Sequence, residues 1–320
     1  MKRNRIIFFA SLFIVLESIA VVIALWPVFF YEKKPRPCEL RLGIIPEVSK
    51  GTSRKEWEKF FESLSGETDY VIQPYYANSS EEAMRGFSSG SLDMLYVNAA
   101  LFLELKKNKS AEALLYHKMP DEQKNKNRAA LVSSGELKYI SETKGLRISF
   151  TDRYSITGYM VPFKYLKDKL RTEPDKWFAE VSYTSNEQQA IEKLRKGETD
   201  IIAVSLLTLD SFLAEAGKDS DLRWAALWVS FQLPEPVICV SSASPFLKSE
   251  ALNKLKKFLW NASKKREQVG QSFNMMSLSF EPVDFAYSER LEALRKFMEA
   301  PLGFHNNRPD ILMEAGKNVR

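Results

Sequence analysis

Two segments of this chain share one pattern, in which a helix is followed by Gly, two further residues, Asp and a short apolar strand. Gly90 and Asp93 carry the first copy, and Gly197 and Asp200 carry the second. Glycine is favoured directly after a helix, because it adopts the left-handed conformation without strain. The repeated pattern therefore predicts two lobes that are built alike.

The remaining sequence alternates short β-rich runs with amphipathic helices, which is typical of an α/β architecture. In residues 186–196 the apolar residues Ala190, Ile191 and Leu194 form one stripe among polar neighbours, so this helix should pack on a sheet. About 280 residues follow the N-terminal segment, which is more than one ordinary domain contains. We expect two α/β lobes.

The segment Ile148–Pro162 runs from an apolar strand through a turn rich in small hydroxyl residues into a helical pattern. Ser155, Thr157 and Gly158 fall where hydroxyls and the first backbone N–H groups of the helix converge. These N–H groups have no partner inside the helix, and the helix dipole adds partial positive charge, so the turn can bind an oxyanion. The alternative is that Ser155 or Thr157 only caps the helix, because both residue types are favoured there without a ligand.

Five short motifs occur in a characteristic order. They are Leu40–Pro46, Phe87–Asn98, Lys144–Asp152 with Ser155–Gly158, Gly197–Asp200 and Pro234–Pro236. Together they resemble the phosphate, phosphite and phosphonate-binding family, the substrate-binding proteins of ABC importers related to the periplasmic phosphonate-binding protein. The similarity covers about residues 40–300.

The resemblance implies an α/β type II periplasmic-binding-protein fold with two lobes and a hinge. Lobe 1 would take residues 37–132 and 238–300, and lobe 2 would take residues 133–237. Residues 301–320 would form a peripheral C-terminal tail. Ligands of such open sheets bind beyond the carboxyl ends of the strands, where loops lead into helices.

On the second lobe, Ser155, Thr157 and Gly158 match the Ser-Thr-Ser-Gly anion loop of the family, with Ile156 in place of the middle hydroxyl residue. That departure removes one hydroxyl donor and keeps the backbone N–H. Thr184, Ser185 and Asn186 stand where relatives often carry Gly-Ser-His, so the resemblance implies that Ser185 and Asn186 add donors to the anion. Ordinary helix capping is the alternative for this pair.

On the first lobe, Tyr96 and Asn98 end a strand and precede a helix, at the position where many relatives place an aromatic and a small or Asn-Pro step. We expect Tyr96 or Asn98 at the edge of the cleft, although Tyr96 could instead be a half-buried strand residue. Glu47 follows the first strand and is ambiguous, since a carboxylate repels an anion unless it binds a cationic group or accepts a proton. In aminoalkylphosphonate-binding relatives an acidic residue a few positions after the site that resembles Asp200 holds the amine of the ligand, but here no carboxylate occurs between Asp200 and Asp210. The resemblance therefore implies a simple oxyanion rather than an aminoalkylphosphonate.

Residues 6–31 form an apolar run of 26 residues that is long enough to span a bilayer. Its length and the absence of a small-residue cleavage site favour an N-terminal transmembrane helix over a cleaved signal peptide. We therefore expect residues 1–36 to be a membrane anchor with basic flanks, and the globular part to be extracytoplasmic.

The net charge of +5 does not indicate nucleic-acid binding, because residues 1–36 hold six basic and two acidic residues and the rest of the chain is almost neutral. Cys38 and Cys239 lie too far apart in sequence for a metal or redox motif, and either a single disulfide or two separate thiols fits their spacing. His117 and His305 belong to no metal-spaced cluster or nucleophile arrangement. The chain also has no Walker loop. We expect no enzymatic activity, no metal and no cofactor.

These observations predict a membrane-tethered substrate-binding protein that closes its two lobes around a small oxyanion, such as a phosphonate or phosphate, and delivers it to an ABC permease. The alternative is a ligand sensor that signals to a histidine kinase or another membrane partner. A histidine-kinase gene beside the coding gene would favour sensing, and permease and ATPase genes would favour transport.

Overall fold

Two mixed β-sheets flanked by helices organise the part of the chain that the computed structural model describes. That part comprises residues 38–45, 54–62, 70–108, 110–135, 137–216, 224–242, 249–268 and 278–301. Its strands are β1 (Cys38–Ile44), β2 (Tyr70–Tyr76), β3 (Met94–Val97), β4 (Ala111–His117), β5 (Ala129–Ser133), β6 (Arg147–Phe150), β7 (Glu180–Tyr183), β8 (Ile201–Ser205), β9 (Ala225–Val229), β10 (Val237–Ser241) and β11 (Phe280–Pro282).

Helices connect most of these strands. They are α1 (Arg54–Glu62), α2 (Ser80–Ser88), α3 (Ala99–Lys107), α4 (Asp121–Lys124), α5 (Val161–Leu170), α6 (Pro174–Trp177), α7 (Glu187–Arg195), α8 (Leu206–Ala216), α9 (Ser249–Gln268) and α10 (Phe285–Glu299). A 3₁₀ turn lies at Ile140–Thr143, and a π-helical turn at Ile156–Met160 leads directly into α5. The alternation of strands and helices confirms the predicted α/β class.

The two sheets follow the same plan. In the first, the strand order is β11-β4-β10-β3-β1-β2, with β1 parallel to β2 and β3 and with β10 antiparallel to β3 and β4. In the second, the order is β7-β6-β8-β5-β9, with β6 parallel to β7 and β8 and with β5 antiparallel to β8 and β9. Strands β3, β5, β8 and β10 are buried at every position, as expected for strands covered on both faces.

The two Gly-x-x-Asp segments occupy equivalent places in the two sheets. The carboxylate of Asp93 accepts the backbone N–H of Arg41 in β1 at 2.9 Å, and that of Asp200 accepts the backbone N–H of Arg147 in β6 at 2.8 Å. Gly90 and Gly197 precede them with φ values of +77° and +69°. The prediction that the two lobes are built alike is confirmed.

The chain passes from the first sheet to the second between β4 and β5 and returns between β9 and β10. The first crossing therefore lies at residues 118–128 rather than at the predicted boundary between 132 and 133, because β5 pairs within the second sheet. The two crossings run side by side: the N–H of Leu233 donates to the carbonyl of Asn127 at 2.8 Å, and the Arg128 guanidinium donates to the Ser230 carbonyl at 2.8 Å.

The predicted membrane anchor of residues 1–36 and most of the predicted tail of residues 301–320 lie outside the described residues. Among the helices that the structure does describe, none is both long enough and apolar enough to cross a bilayer.

Candidate functional site

The bend after β6 is organised by Ser155. The hydroxyl oxygen of Ser155 accepts the N–H of Gly158 at 3.0 Å, and the N–H of Ser155 donates to the Asp152 carbonyl at 2.8 Å. Ser155 is buried and serves as the N-cap of the π-helical turn. The capping role proposed as the alternative for Ser155 is therefore present in the structure.

Two backbone donors at the bend have no partner in the described part of the chain. The N–H groups of Ile156 and Thr157 open the helical segment that continues through α5, and neither finds an acceptor among the described residues. Both residues are only half-buried. First-turn N–H groups of this kind are the donors that an anion uses at a helix N-terminus.

Gly158 allows a close approach between the bend and the strand end. The N–H of Thr151 donates to the Gly158 carbonyl at 3.0 Å, and a Cβ atom at position 158 would lie 1.9 Å from Oγ1 of Thr151. Thr151 is fully buried, and its hydroxyl has no hydrogen-bond partner in the described part of the chain. Glycine is required here by the space available rather than by a positive φ.

The hydroxyl of Thr157 is held by a carboxylate that the sequence did not single out. Thr157 Oγ1 donates to Oε1 of Glu187 at 2.6 Å, and the same oxygen accepts the N–H of Ser205 at 3.1 Å. The Thr208 hydroxyl donates to the other carboxylate oxygen. Glu187 begins α7 and is 7% exposed. In the sequence, only the position of Glu187 directly after the candidate residue Asn186 pointed toward the site.

The bend faces the first lobe. The side-chain amide of Asn98 donates to the carbonyl of Tyr154 at 2.7 Å, and its oxygen accepts the N–H of Leu101 at 3.0 Å, which caps α3. Burial raises the pKa of the Tyr154 hydroxyl, and the carboxylate of Glu81 on α2 raises it further. Asn98 thus lies beside the Ser155–Gly158 bend, between the two sheets.

Tyr96 does not lie at the edge of the cleft. It is fully buried in the core of the first lobe, and its hydroxyl is 2.6 Å from Nδ1 of His117. Its ring lies 5.1 Å from that of Trp57 and 6.0 Å from that of Phe280. This burial raises the pKa of Tyr96 far above its ordinary value. Expecting Tyr96 at the cleft was wrong, because β3 is covered on both faces.

Ser185 and Asn186 make local contacts at the start of α7. The Ser185 hydroxyl donates to the Gln189 side chain at 2.9 Å, and the Asn186 side-chain oxygen accepts the N–H of Gln189 at 2.8 Å. These bonds are those of an ordinary N-cap, which was the alternative for this pair. Glu47 lies outside the described residues.

Other candidate groups lie away from the bend. Cys239 is a free thiol in β10, and burial raises its pKa to about 12. An open cavity of about 470 Å³ at the outer edge of the first sheet is lined by residues such as Tyr116, Lys118 and Glu281 and contains no predicted site residue. Within the described ranges, no group of His, Cys, Asp or Glu side chains is arranged to hold a metal ion.

The chain matches one family model over residues 42–286. The model is described as that of the ABC transporter, phosphonate, periplasmic substrate-binding protein. Among curated protein sequences, none matches the chain at a significant level.

Solved structures with a similar fold include the following three, each with a TM-score of 0.63 or 0.64. XAC2383 from Xanthomonas citri, bound to ATP, has a TM-score of 0.64 at 15% identity and covers 81% of this chain and 96% of its own. A binding protein component of an ABC phosphonate transporter from Pseudomonas aeruginosa has a TM-score of 0.63 at 18% identity, with coverage of 82% and 85%. PhnD1 from Prochlorococcus marinus, in complex with methylphosphonate, has a TM-score of 0.63 at 17% identity, with coverage of 82% and 97%. At these identities the likeness shows the fold alone.

Proposed function

Because the chain belongs to the family of periplasmic phosphonate substrate-binding proteins of ABC transporters, we propose that it captures a small oxyanion of the phosphonate or phosphate class between its lobes. Its fold, α/β with two mixed sheets, is that of a periplasmic binding protein. In this proposal the globular part lies outside the cytoplasm and hands the anion to an ABC permease.

One observation supports an oxyanion as the class of ligand. The Ile156 and Thr157 N–H groups have no acceptor in the described part of the chain, and they open a helical segment beside the inter-lobe contact between Asn98 and Tyr154. Two neighbouring amides at a helix N-terminus suit the oxygens of a tetrahedral oxyanion.

The proposed mechanism is closure of the lobes about their two crossings. Residues 118–128 and 230–236 pair through hydrogen bonds such as that between Leu233 and Asn127, so they can act as a hinge that keeps both lobes attached. An anion on the bend would add its own contacts to those that already join Asn98 to Tyr154. The anion would therefore favour the closed state to the extent that it binds the closed state more tightly than the open state.

The test removes a single N–H donor. Ile156→Pro deletes the donor at the first helical position, where proline is well tolerated, and Ser155 already has the extended φ of −72° and ψ of 121° that a residue before proline prefers. Isothermal titration calorimetry of the full chain should show binding of methylphosphonate, phosphite or phosphate, and Ile156→Pro should weaken it at least ~10-fold.

Phe285→Pro is the matched control. Phe285 is the first residue of α10, is 77% exposed and follows the extended N-cap Asp284, so proline there also removes one first-turn N–H group, but from a different helix. It should leave anion affinity unchanged. If the unmodified chain binds none of these anions, the proposed function is wrong; if Ile156→Pro and Phe285→Pro bind alike, the proposed site is wrong.

We propose that residues 6–31 anchor the protein in the membrane, since this run of 26 residues is almost entirely apolar. The proposed anchor should keep the full chain in the membrane fraction through carbonate extraction, and exchange of the run for a cleavable secretion signal should release the protein. Release of the unmodified chain by carbonate would contradict the anchor.

A further inference from the structure

The buried carboxylate of Glu187 controls the direction of the hydrogen bond that Thr157 makes. Glu187 Oε1 accepts from the Thr157 hydroxyl at 2.6 Å and from the Ser205 N–H at 3.1 Å, while the Thr208 hydroxyl donates to Oε2. A carboxylate can only accept hydrogen bonds, and a threonine hydroxyl has one proton to give. The proton of Thr157 is therefore directed at Glu187, away from the bend.

This arrangement changes what Thr157 offers to a ligand. With its proton donated to Glu187, Thr157 Oγ1 presents only lone pairs, which attract an O–H group and repel a bare anionic oxygen. The Ile156 and Thr157 N–H groups of the same bend are donors and suit anionic oxygens. The bend thus combines donors for oxygen anions with one acceptor for a hydroxyl group.

We infer that Glu187 is a positioning residue that makes the site selective for an oxyanion that still carries a proton, such as a hydrogen phosphonate, over a sulfonate of the same shape and charge. This inference rests on the proposed function and adds a substrate class to it. The acidic O–H of the ligand donates to Thr157, and its remaining oxygens accept from the backbone amides. A sulfonate has no such proton to give.

Methylphosphonate and methanesulfonate form a matched pair of probes. About one unit below the second pKa of methylphosphonate, both are tetrahedral monoanions with one methyl group, and they differ in the O–H group. Isothermal titration calorimetry of the full chain at that pH should give at least ~10-fold tighter binding of methylphosphonate, because the sulfonate leaves the Thr157 acceptor without a partner.

Three variants separate the hydrogen-bond direction from the charge. Glu187→Gln keeps an acceptor oxygen toward Thr157, because the Ser205 N–H, which can only donate, shares that oxygen and fixes the orientation of the amide. In Glu187→Gln the ratio of the affinities for methylphosphonate and methanesulfonate should stay within ~3-fold of the ratio in the unmodified chain. Glu187→Met removes the acceptor and Thr157→Val removes the hydroxyl, so in both the preference should fall to near unity.

Glu192→Gln is the control for net charge, since Glu192 lies on the same helix, is 40% exposed and pairs with Arg195 at the surface. It should leave both affinities unchanged. The inference is overturned if the unmodified chain binds the two anions equally or if the preference survives in both Glu187→Met and Thr157→Val. Should Glu187→Met fail to fold, Thr157→Val alone decides. Binding of neither anion would overturn this inference, and the proposed function would fall with it only if phosphite and phosphate also do not bind. Equal binding of the two anions would overturn this inference alone.

Discussion

The side-chain amide of Asn98 in the first lobe donates to the backbone carbonyl of Tyr154 in the second lobe, with 2.7 Å between nitrogen and oxygen. The oxygen of the same amide caps α3 by accepting the N–H of Leu101. Asn98 is 3% exposed, so its side chain is largely shielded from water. One side chain thus fixes the start of a helix and links the lobes next to the Ser155–Gly158 bend.

Asn98→Asp should weaken closure without removing the helix cap. The aspartate oxygen still caps α3, whereas the donor to Tyr154 is lost and two acceptors then face each other. We expect the affinity for methylphosphonate to fall about 10-fold or more and small-angle X-ray scattering to show a larger open fraction.

Asn186→Asp is the matched control for that experiment. Asn186 caps α7 through the N–H of Gln189, as Asn98 caps α3, and among the described residues its amide nitrogen has only a 3.5 Å contact, with Ser185. Asn186→Asp should change the affinity for methylphosphonate and the X-ray scattering much less than Asn98→Asp does. Equal effects of the two variants would show that the link between Asn98 and Tyr154 is not important for closure.

Gly158→Ala should be severely destabilising. The new methyl group would lie 1.9 Å from Oγ1 and 2.8 Å from Cγ2 of Thr151, so the bend or the strand end must move. Overpacking of this kind typically costs about 1–3 kcal/mol or more. Urea unfolding of the variant should show this loss.

Thr151→Ala, alone and combined with Gly158→Ala, tests whether the contact with Thr151 causes the loss of stability. It removes the two closest atoms, and it also removes a buried hydroxyl that has no partner in the described part of the chain. The double variant should recover part of the stability lost in Gly158→Ala. A double variant that unfolds with strictly additive losses would argue against the contact.

The architecture could be predicted from the sequence because it follows from local patterns. The spacing of Gly90 and Asp93, repeated at Gly197 and Asp200, reports how a helix leads into a strand, and the structure uses both aspartates in the same way. The bend at Ser155 is also a local feature, since its cap spans three residues.

Contacts between distant segments could not be predicted in this way. Glu187 reaches Thr157 across 30 positions and Thr208 across 21, and no spacing rule indicates which buried carboxylate will accept from which hydroxyl. Tyr96 was misplaced for a related reason. Because every residue of β3 is buried, the alternation of inward and outward side chains that would indicate a cleft-facing residue is absent.

Asp200 should make the stability of the protein sensitive to acid. Hydrogen bonds from the Arg147 side chain lower the pKa of the Asp200 carboxyl below its ordinary value, and the backbone N–H of Arg147 adds to this effect. A carboxyl whose pKa is lower in the folded state stabilises the protein above its unfolded pKa of about 3.9. That contribution is lost as the pH falls through the folded value.

Asp200→Asn should therefore cost about 1 kcal/mol at neutral pH, a modest figure because Arg147 is partly exposed, and this difference should shrink below about pH 4. Urea unfolding from pH 3 to 7 measures both effects. Asp175→Asn, at an exposed position on α6, is the control and should run parallel to the unmodified chain. A difference for Asp200→Asn that stays constant across this range would contradict the assignment.

Removing one partner of the buried ion pair between Glu235 and Arg290 should lower the free energy of unfolding more than replacing both partners by apolar residues. Glu235 lies in the second crossing with its side chain 1% exposed, and one of its oxygens is 2.9 Å from the guanidinium of Arg290 on α10. Its other oxygen and the Arg290 Nε have no hydrogen-bond partner in the described residues.

Arg290→Met leaves the carboxylate buried without its partner, so urea unfolding should show a loss of about 3–5 kcal/mol. The double variant Glu235→Leu with Arg290→Met removes both charges and should be closer in stability to the unmodified chain, since desolvation offsets much of the attraction within the pair. If the double variant is as unstable as Arg290→Met alone, the pair is not the source of the loss.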